Sequence, residues 1–126
     1  MKAASIVWVF LGAGVGGTLR YVLGGWMTQR WGPAFPWHTL AINIAGAFLL
    51  GVLMALSVER SIISSQVRLL LGVGLLGGFT TFSTLSYESV ALLQQGLVFQ
   101  GTANMLGTAV LGIGATVAGL LVGRAI

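Results

Sequence analysis

Four long apolar stretches alternate with three short polar ones along the chain, at about residues 5–27, 37–58, 69–93 and 97–123. Each exceeds the ~20 residues that a helix needs to cross the ~30 Å hydrocarbon core of a bilayer. The pattern predicts an all-α integral membrane protein: one domain of four transmembrane helices, short loops and both termini on one side. The third stretch is the exception to its own pattern. At its centre stand Gly77, Gly78, Phe79, Thr80, Thr81, Phe82, Ser83 and Thr84. Glycine adds backbone entropy, and Thr and Ser hydroxyls compete with the helical ladder. The third helix is therefore expected to break near the membrane midplane. Irregular backbone at that depth is tolerated only where it is buried in protein or lines a wet cavity, so the break marks ion- or substrate-binding equipment.

The polar positions inside the spans are few. In the first, Gly12 and Gly16 form a small-xxx-small pair that lets another helix approach closely, and Arg20 stands in or beside hydrocarbon. A guanidinium there either snorkels to the interface or faces an aqueous vestibule; in both cases it raises the potential for anions. The second span carries one strongly polar interior side chain, Asn43. It serves as interhelical glue or presents amide donors to an anion. In the third, Glu88 lies four residues beyond Thr84 and shares its helix face. With no second acid nearby it reads as a static partner for hydroxyls or for Arg20 rather than a proton-coupling group. In the fourth, Asn104, Thr108, Gly112 and Thr116 recur at i+4 and form one stripe. The stripe packs helices through small residues or forms a polar track beside a pore. Trp26, Trp31 and Trp37 around the first loop form an interfacial aromatic belt. His38, just inside the second span, is either a proton carrier or, as a lone interfacial histidine more often is, simply solvated.

Composition sharpens this picture. The chain has 126 residues, 56% hydrophobic and 6% charged, with a mean hydropathy of +0.99; soluble domains carry about 25% charged residues. The net charge of +4 comes from cations spread over the span edges, which argues for topology signals and against nucleic acid. Lys2, Arg60, Arg68 and Arg124 lie on the terminal side, against Arg30 and Arg20 on the other. So narrow a margin is compatible with insertion in both orientations. The chain has no cysteine, no carboxylate pair, no Ser/His/Asp set and no metal-ligand cluster, and the reading is that it is not an enzyme. The interior inventory is donors: Asn43, Thr80, Thr81, Ser83, Thr84, Asn104 and Thr108. Such an interior suits anions, and Phe82 can add the positive edge of its ring. A four-helix protomer has little room to enclose a path, so a homodimer is expected. An antiparallel pair would bring two breaks together across a two-fold axis and gather carbonyl oxygens that suit a small cation.

The string Gly77-Gly78-Phe79-Thr80-Thr81-Phe82-Ser83-Thr84, followed by Ser86 and Glu88, resembles the signature of the Fluc (CrcB) fluoride channel family. The agreement extends to Gly17-Thr18-Leu19-Arg20 and Thr39-Leu40-Ala41-Ile42-Asn43. The resemblance implies a multi-pass protein of the bacterial inner membrane, an antiparallel, dual-topology dimer with two pores, and passive export of fluoride that relieves its toxicity. It implies that Asn43 and Phe82 line the fluoride path and that Ser83 and Thr84 belong to its hydroxyl track. It implies a structural sodium ion at the dimer centre, held by the backbone carbonyls of Gly77 and Thr80 from both subunits. Three positions depart from the family pattern. Leu85 replaces a usual second Phe, Asn104 stands where Tyr or His is common, and His38 replaces a common Gly.

Two other classes compete. A small proton-coupled multidrug exporter has similar length and helix count but needs a carboxylate in the first span, where this chain has none. A non-transporting membrane assembly subunit explains the small residues but gives no reason for a hydroxyl-lined break.

Overall fold

A computed structural model describes residues 1–126. The chain is all helical: α1 (Ala3–Trp31), α2 (Trp37–Met54), a π-helical turn (Ala55–Glu59), α3 (Ser65–Arg68), a π-helical stretch (Leu69–Leu76), α4 (Gly77–Phe79), α5 (Phe82–Gln94) and α6 (Val98–Ala125). Four stretches are long and apolar enough to span a membrane: Ala3–Trp31, Trp37–Glu59, Ser65–Gln94 and Val98–Ala125. The helices outrun the apolar windows at most ends. Helix α1 continues four residues past Met27, and α3 begins before the third apolar run. Polar end residues sit comfortably on helices that project beyond the hydrocarbon. Helix α1 alone is about 44 Å long at 1.5 Å per residue.

Two packed pairs make the body. Helix α1 lies along the π-helical stretch and α4, while α2 lies along α6; α5 also packs on α6. Backbone approaches backbone in both pairs. A Cβ at Gly16 would strike the Leu75 carbonyl, and one at Gly12 would strike the carbonyl of Leu70. In the second pair, Gly51 faces the Thr116 carbonyl and Gly119 the Phe48 carbonyl in the same way. Van der Waals packing drives helix association in lipid, and small residues let it act at short range. Both π-helical segments lie at such contacts. Leu70 and Leu75 meet α1, and fully buried Ala55 meets Gly123. In the longer one, the Gly77 N–H reaches back five residues to the Gly72 carbonyl.

The ends are pinned by polar contacts. Gly32 and Gly96, both at φ 80°, turn the chain after α1 and after α5. On the side of the termini, Arg124 grips Glu59 through two bonds of 2.6 and 2.8 Å, and Arg60 donates to the Gly123 carbonyl at 3.2 Å. At the opposite end Arg30 lies over the Trp26 ring, 5.7 Å from its centroid. Only 23 of the 126 residues are buried, so most of the apolar surface faces outward, as a lipid-facing protein requires.

The glycine contacts generate a stability prediction. Gly16→Val should lower the unfolding free energy by about 3 kcal/mol or more, because the clash is with backbone. Gly14→Ala, at a site with nothing within 4 Å of the added atom, should change it by no more than ~0.5 kcal/mol. Unfolding in mixed micelles followed by circular dichroism measures both; equal stability of the two variants would refute the packing argument.

Candidate functional site

Helix α4 ends at Phe79, and Thr80 (φ −88°, ψ 156°) and Thr81 (φ −152°, ψ 124°) are extended before α5 begins at Phe82. An interruption of this kind strips backbone groups of their helical partners, and several of them are paired from elsewhere. The Thr80 N–H still reaches the Leu76 carbonyl at 3.0 Å, and its hydroxyl donates to the same oxygen at 2.9 Å. The Thr81 N–H donates to Asn43 Oδ1 at 2.9 Å, and Asn43 Nδ2 donates to the Thr81 carbonyl at 3.0 Å. One carboxamide thus pairs with both backbone groups of one extended residue, as a neighbouring strand would. The Thr81 hydroxyl accepts from the Thr84 N–H at 3.2 Å and donates to the Thr84 hydroxyl at 3.1 Å, capping α5. The Gly78 carbonyl, whose ordinary helical donor would be the Phe82 N–H, accepts from Arg20 Nε at 3.2 Å. Because the Thr81 N–H is committed to Asn43, the Gly77 carbonyl is left without its ordinary i+4 donor.

Two cavities flank this pairing, and Thr81 belongs to both walls. The first, of about 750 Å³, is lined by Arg20, Tyr21, Thr28, Gln29, His38, Thr39 and Thr84 among others. The second, of about 670 Å³, lies between α2, the π-helical stretch and α6 and is lined by Asn43, Thr80, Phe82, Leu85, Thr108 and Thr116 among others. Of the residues singled out in the sequence, the second cavity gathers Asn43, Phe82 and Thr108, with Gly77 and Thr80 at its edge. The first gathers Arg20 and Thr84. Phe82 is 74% exposed and presents its ring outward, whereas Leu85 is buried. Ser83 is exposed, 3.4 Å from the Thr81 hydroxyl, and lines neither cavity. Asn104 also lines neither. It is fully buried and donates to Ser89 Oγ at 3.0 Å, and Ser89 in turn donates to the Leu85 carbonyl at 2.8 Å. Asn104 Oδ1 and Thr108 Oγ1 are buried without partners.

Glu88 has hydroxyl and imidazole partners and makes no contact with Arg20. Its Oε2 accepts from the Thr39 hydroxyl at 3.0 Å and lies 3.3 Å from His38 Nε2. His38 is therefore part of a network that joins α1 to α5, with 28% of its side chain still exposed on the wall of the first cavity. The network escaped the sequence because its members come from α1, α2 and α5. Spacing within one helix carries no signal for Thr28 meeting His38, or for Thr39 meeting Glu88. Ser89 is hidden for the same reason: its partner Asn104 lies on α6. What the arrangement offers chemically is two cavities walled by hydroxyl and amide groups, with Arg20 bonded to the Gly78 carbonyl on the first and a single carboxylate already engaged. Walls of this kind suit an anion better than a cation.

Comparison with known proteins agrees with that chemistry. A family profile described as "CrcB-like protein, Camphor Resistance (CrcB)" matches residues 7–120. The chain is 49% identical over 105 residues to the "Fluoride-specific ion channel FluC" of Thermus thermophilus, covering 83% of this chain and 82% of that one. It is 42% identical to the protein of the same name from Rhizobium etli over 94% of both chains, and 44% identical to that of Chloroflexus aurantiacus over 95% of both. The chain belongs to the CrcB family.

The pairing of Asn43 with Thr81 predicts a specific defect. Asn43→Ala leaves one backbone donor and one acceptor unpaired, an expected loss of roughly 2–4 kcal/mol from two orphaned groups. Hydrogen exchange in micelles should show the Thr81 amide losing protection while amides early in α2 keep theirs. Undiminished protection at Thr81 would disprove the pairing.

Proposed function

We propose that this chain is the subunit of a passive, fluoride-selective ion channel that lets fluoride leave across the bacterial inner membrane and so relieves fluoride toxicity. The observation that carries the reading is the similarity, over 94% of both chains, to a protein named a fluoride-specific ion channel. The site chemistry supports it. Fluoride is small and strongly hydrated, and a path for it must replace water with donors that carry no competing negative charge. Asn43 and Thr84 provide donors on the cavity walls, Thr108 lines the second cavity and holds an unpartnered hydroxyl just behind its surface, and Phe82 provides a ring edge. One Nδ2 hydrogen of Asn43 is committed to Thr81, and the second is free to meet an anion. Arg20 supplies the vestibule charge. Ser83, exposed on the protomer, completes the hydroxyl track from the surface that a second subunit covers. Asn104 stands behind the track and holds α5 against α6 through Ser89.

In this reading the subunits pair antiparallel, as a dual-topology homodimer. The small buried interior and the narrow cation bias of the loops support that pairing. Thr80 and Thr81 stand near the middle of Ser65–Gln94, which supports an interruption near the bilayer midplane. The resemblance implies a sodium ion there, and the residues fit it. The Gly77 carbonyl has lost its ordinary helical donor to Asn43, Gly77 is exposed, and hard cations prefer neutral carbonyl oxygens of this kind. The carbonyls of Gly77 and Thr80 would hold the ion, and its positive charge, when bound, ties the two interruptions together. Asn43 prepares that site by taking the Thr81 N–H out of the ladder.

Efflux from liposomes tests the function. Purified protein should release fluoride rapidly and electrogenically and chloride far more slowly. Release no faster than from protein-free liposomes, by a correctly folded protein, would overturn the reading. Phe82→Ile should lower fluoride flux about tenfold, the kinetic equivalent of one lost ring-edge contact of roughly 1.4 kcal/mol. Leu85→Phe, by adding a second ring edge to the wall of the second cavity, should raise it; unchanged flux would make Leu85 a spacer.

A further inference from the structure

Glu88 is the one carboxylate in the interior, and it lies directly behind a wall. His38 Nε2 stands 3.3 Å from its Oε2, and the Thr39 hydroxyl donates to the same oxygen at 3.0 Å. Both partners line the first cavity, and Glu88 does not. Its other oxygen, Oε1, is buried with no partner. The thickness of one side chain therefore separates an acid from the space that Arg20 borders. The imidazole is held in that wall on three sides. Nε2 meets Glu88 of α5, and Nδ1 lies 3.3 Å from Thr28 Oγ1 of α1. The Cδ2 edge lies against Gly24 of α1, where an added Cβ would come within 3.4 Å of it. A ring with a single proton suits both polar neighbours. Its Nε2–H donates to Glu88, and the Thr28 hydroxyl, which also reaches the Gly24 carbonyl at 2.8 Å, can turn to Nδ1.

We propose that His38 is a positioning residue that screens the anion path from Glu88. Its ring closes the gap between α1 and α5 and holds the carboxylate behind the cavity wall. An anion in the first cavity then meets the charge of Arg20 with no acid facing it. The screen works in two ways. The ring occupies the space through which water and ions would reach Glu88, and its N–H turns the carboxylate lone pairs onto a donor inside the protein. Without the ring, Arg20 and Glu88 would act on one aqueous space with opposite signs, and the potential that gathers anions there would largely cancel. The inference rests on the fluoride-channel reading for its effect on current; the cover over Glu88 does not depend on it.

Fluoride current in planar bilayers tests the screen through a double-mutant cycle of His38→Gly and Glu88→Gln. His38→Gly should carry at least about threefold less current than wild type, because the uncovered carboxylate opposes Arg20. Adding Glu88→Gln to it should restore the current to within about twofold of wild type, a rescue that lost packing alone would not give. His38→Gln, which keeps a donor and most of the side-chain volume, should stay close to wild type. Glu59 and Glu88 are the only acidic side chains, so labelling by a water-soluble carbodiimide and taurine, read by mass spectrometry on protein in micelles, reports the cover directly. Relative to Glu59, Glu88 should label several-fold faster in His38→Gly than in wild type or His38→Gln. An undiminished current in His38→Gly, a deficit that Glu88→Gln leaves in place, or equal labelling of Glu88 with and without the ring would each overturn the proposal. Absence of fluoride current from folded wild-type protein would overturn the channel reading instead, and the labelling would still decide whether His38 covers Glu88.

Discussion

In hydrocarbon, a backbone N–H or C=O without a partner costs several kcal/mol, and this constraint organises the molecule. The chain leaves the helical ladder at Thr80 and Thr81, near the middle of the third span. Much of the remedy is a single side chain. Asn43, on α2, offers one acceptor and one donor at the spacing of a peptide group, and Thr81 takes both. The extended conformation of Thr81 is thereby held at a fixed distance from α2. The cap that its hydroxyl gives α5 then sets where the second half of the third span begins.

The rest of the architecture delivers Asn43 and Arg20 to that place. Arg20 reaches the Gly78 carbonyl because α1 lies backbone to backbone against residues 70–79, and it does so because Gly12 and Gly16 have no side chains to hold the helices apart. Asn43 reaches Thr81 because the turn after α1, at Gly32, returns the chain into α2 beside the same segment. The contact of α2 with α6 through Gly51 and Gly119 then closes the second cavity with Thr108 and Thr116 on its far wall. Small residues are thus used for proximity, and proximity satisfies the interrupted backbone.

How much of this was legible in the sequence follows from where each signal resides. The four spans were legible, because length and apolarity are properties of one segment at a time. So was the anomaly at residues 77–84, where glycines and hydroxyls oppose helix formation locally. Asn43 was recognisable as an interior donor, but its pairing with both backbone groups of Thr81 was not, because nothing in either segment encodes the other's position. The partners of His38 were hidden for the same reason: only the fold reveals that Thr28 and Glu88 flank it. Asn104 and Thr108 share a helix face, as their spacing indicates, yet one bonds Ser89 in the interior and the other borders a cavity. Periodicity identifies a face and leaves open what lies opposite.

The distribution of charge gives the site its sign. The chain has only two carboxylates, and both are engaged: Glu59 by Arg124 at the membrane edge, Glu88 by Thr39 and His38 in the interior. No acid faces either cavity, whereas Arg20 faces the first. The end of α5 adds the partial positive charge of its N-terminus on the side of Thr81 and Ser83. A cation entering here would meet donors, a guanidinium and a helix N-terminus; an anion meets complementary groups at each step. Discrimination by charge therefore comes from the absence of a free acid on the cavity walls as much as from the donors supplied there.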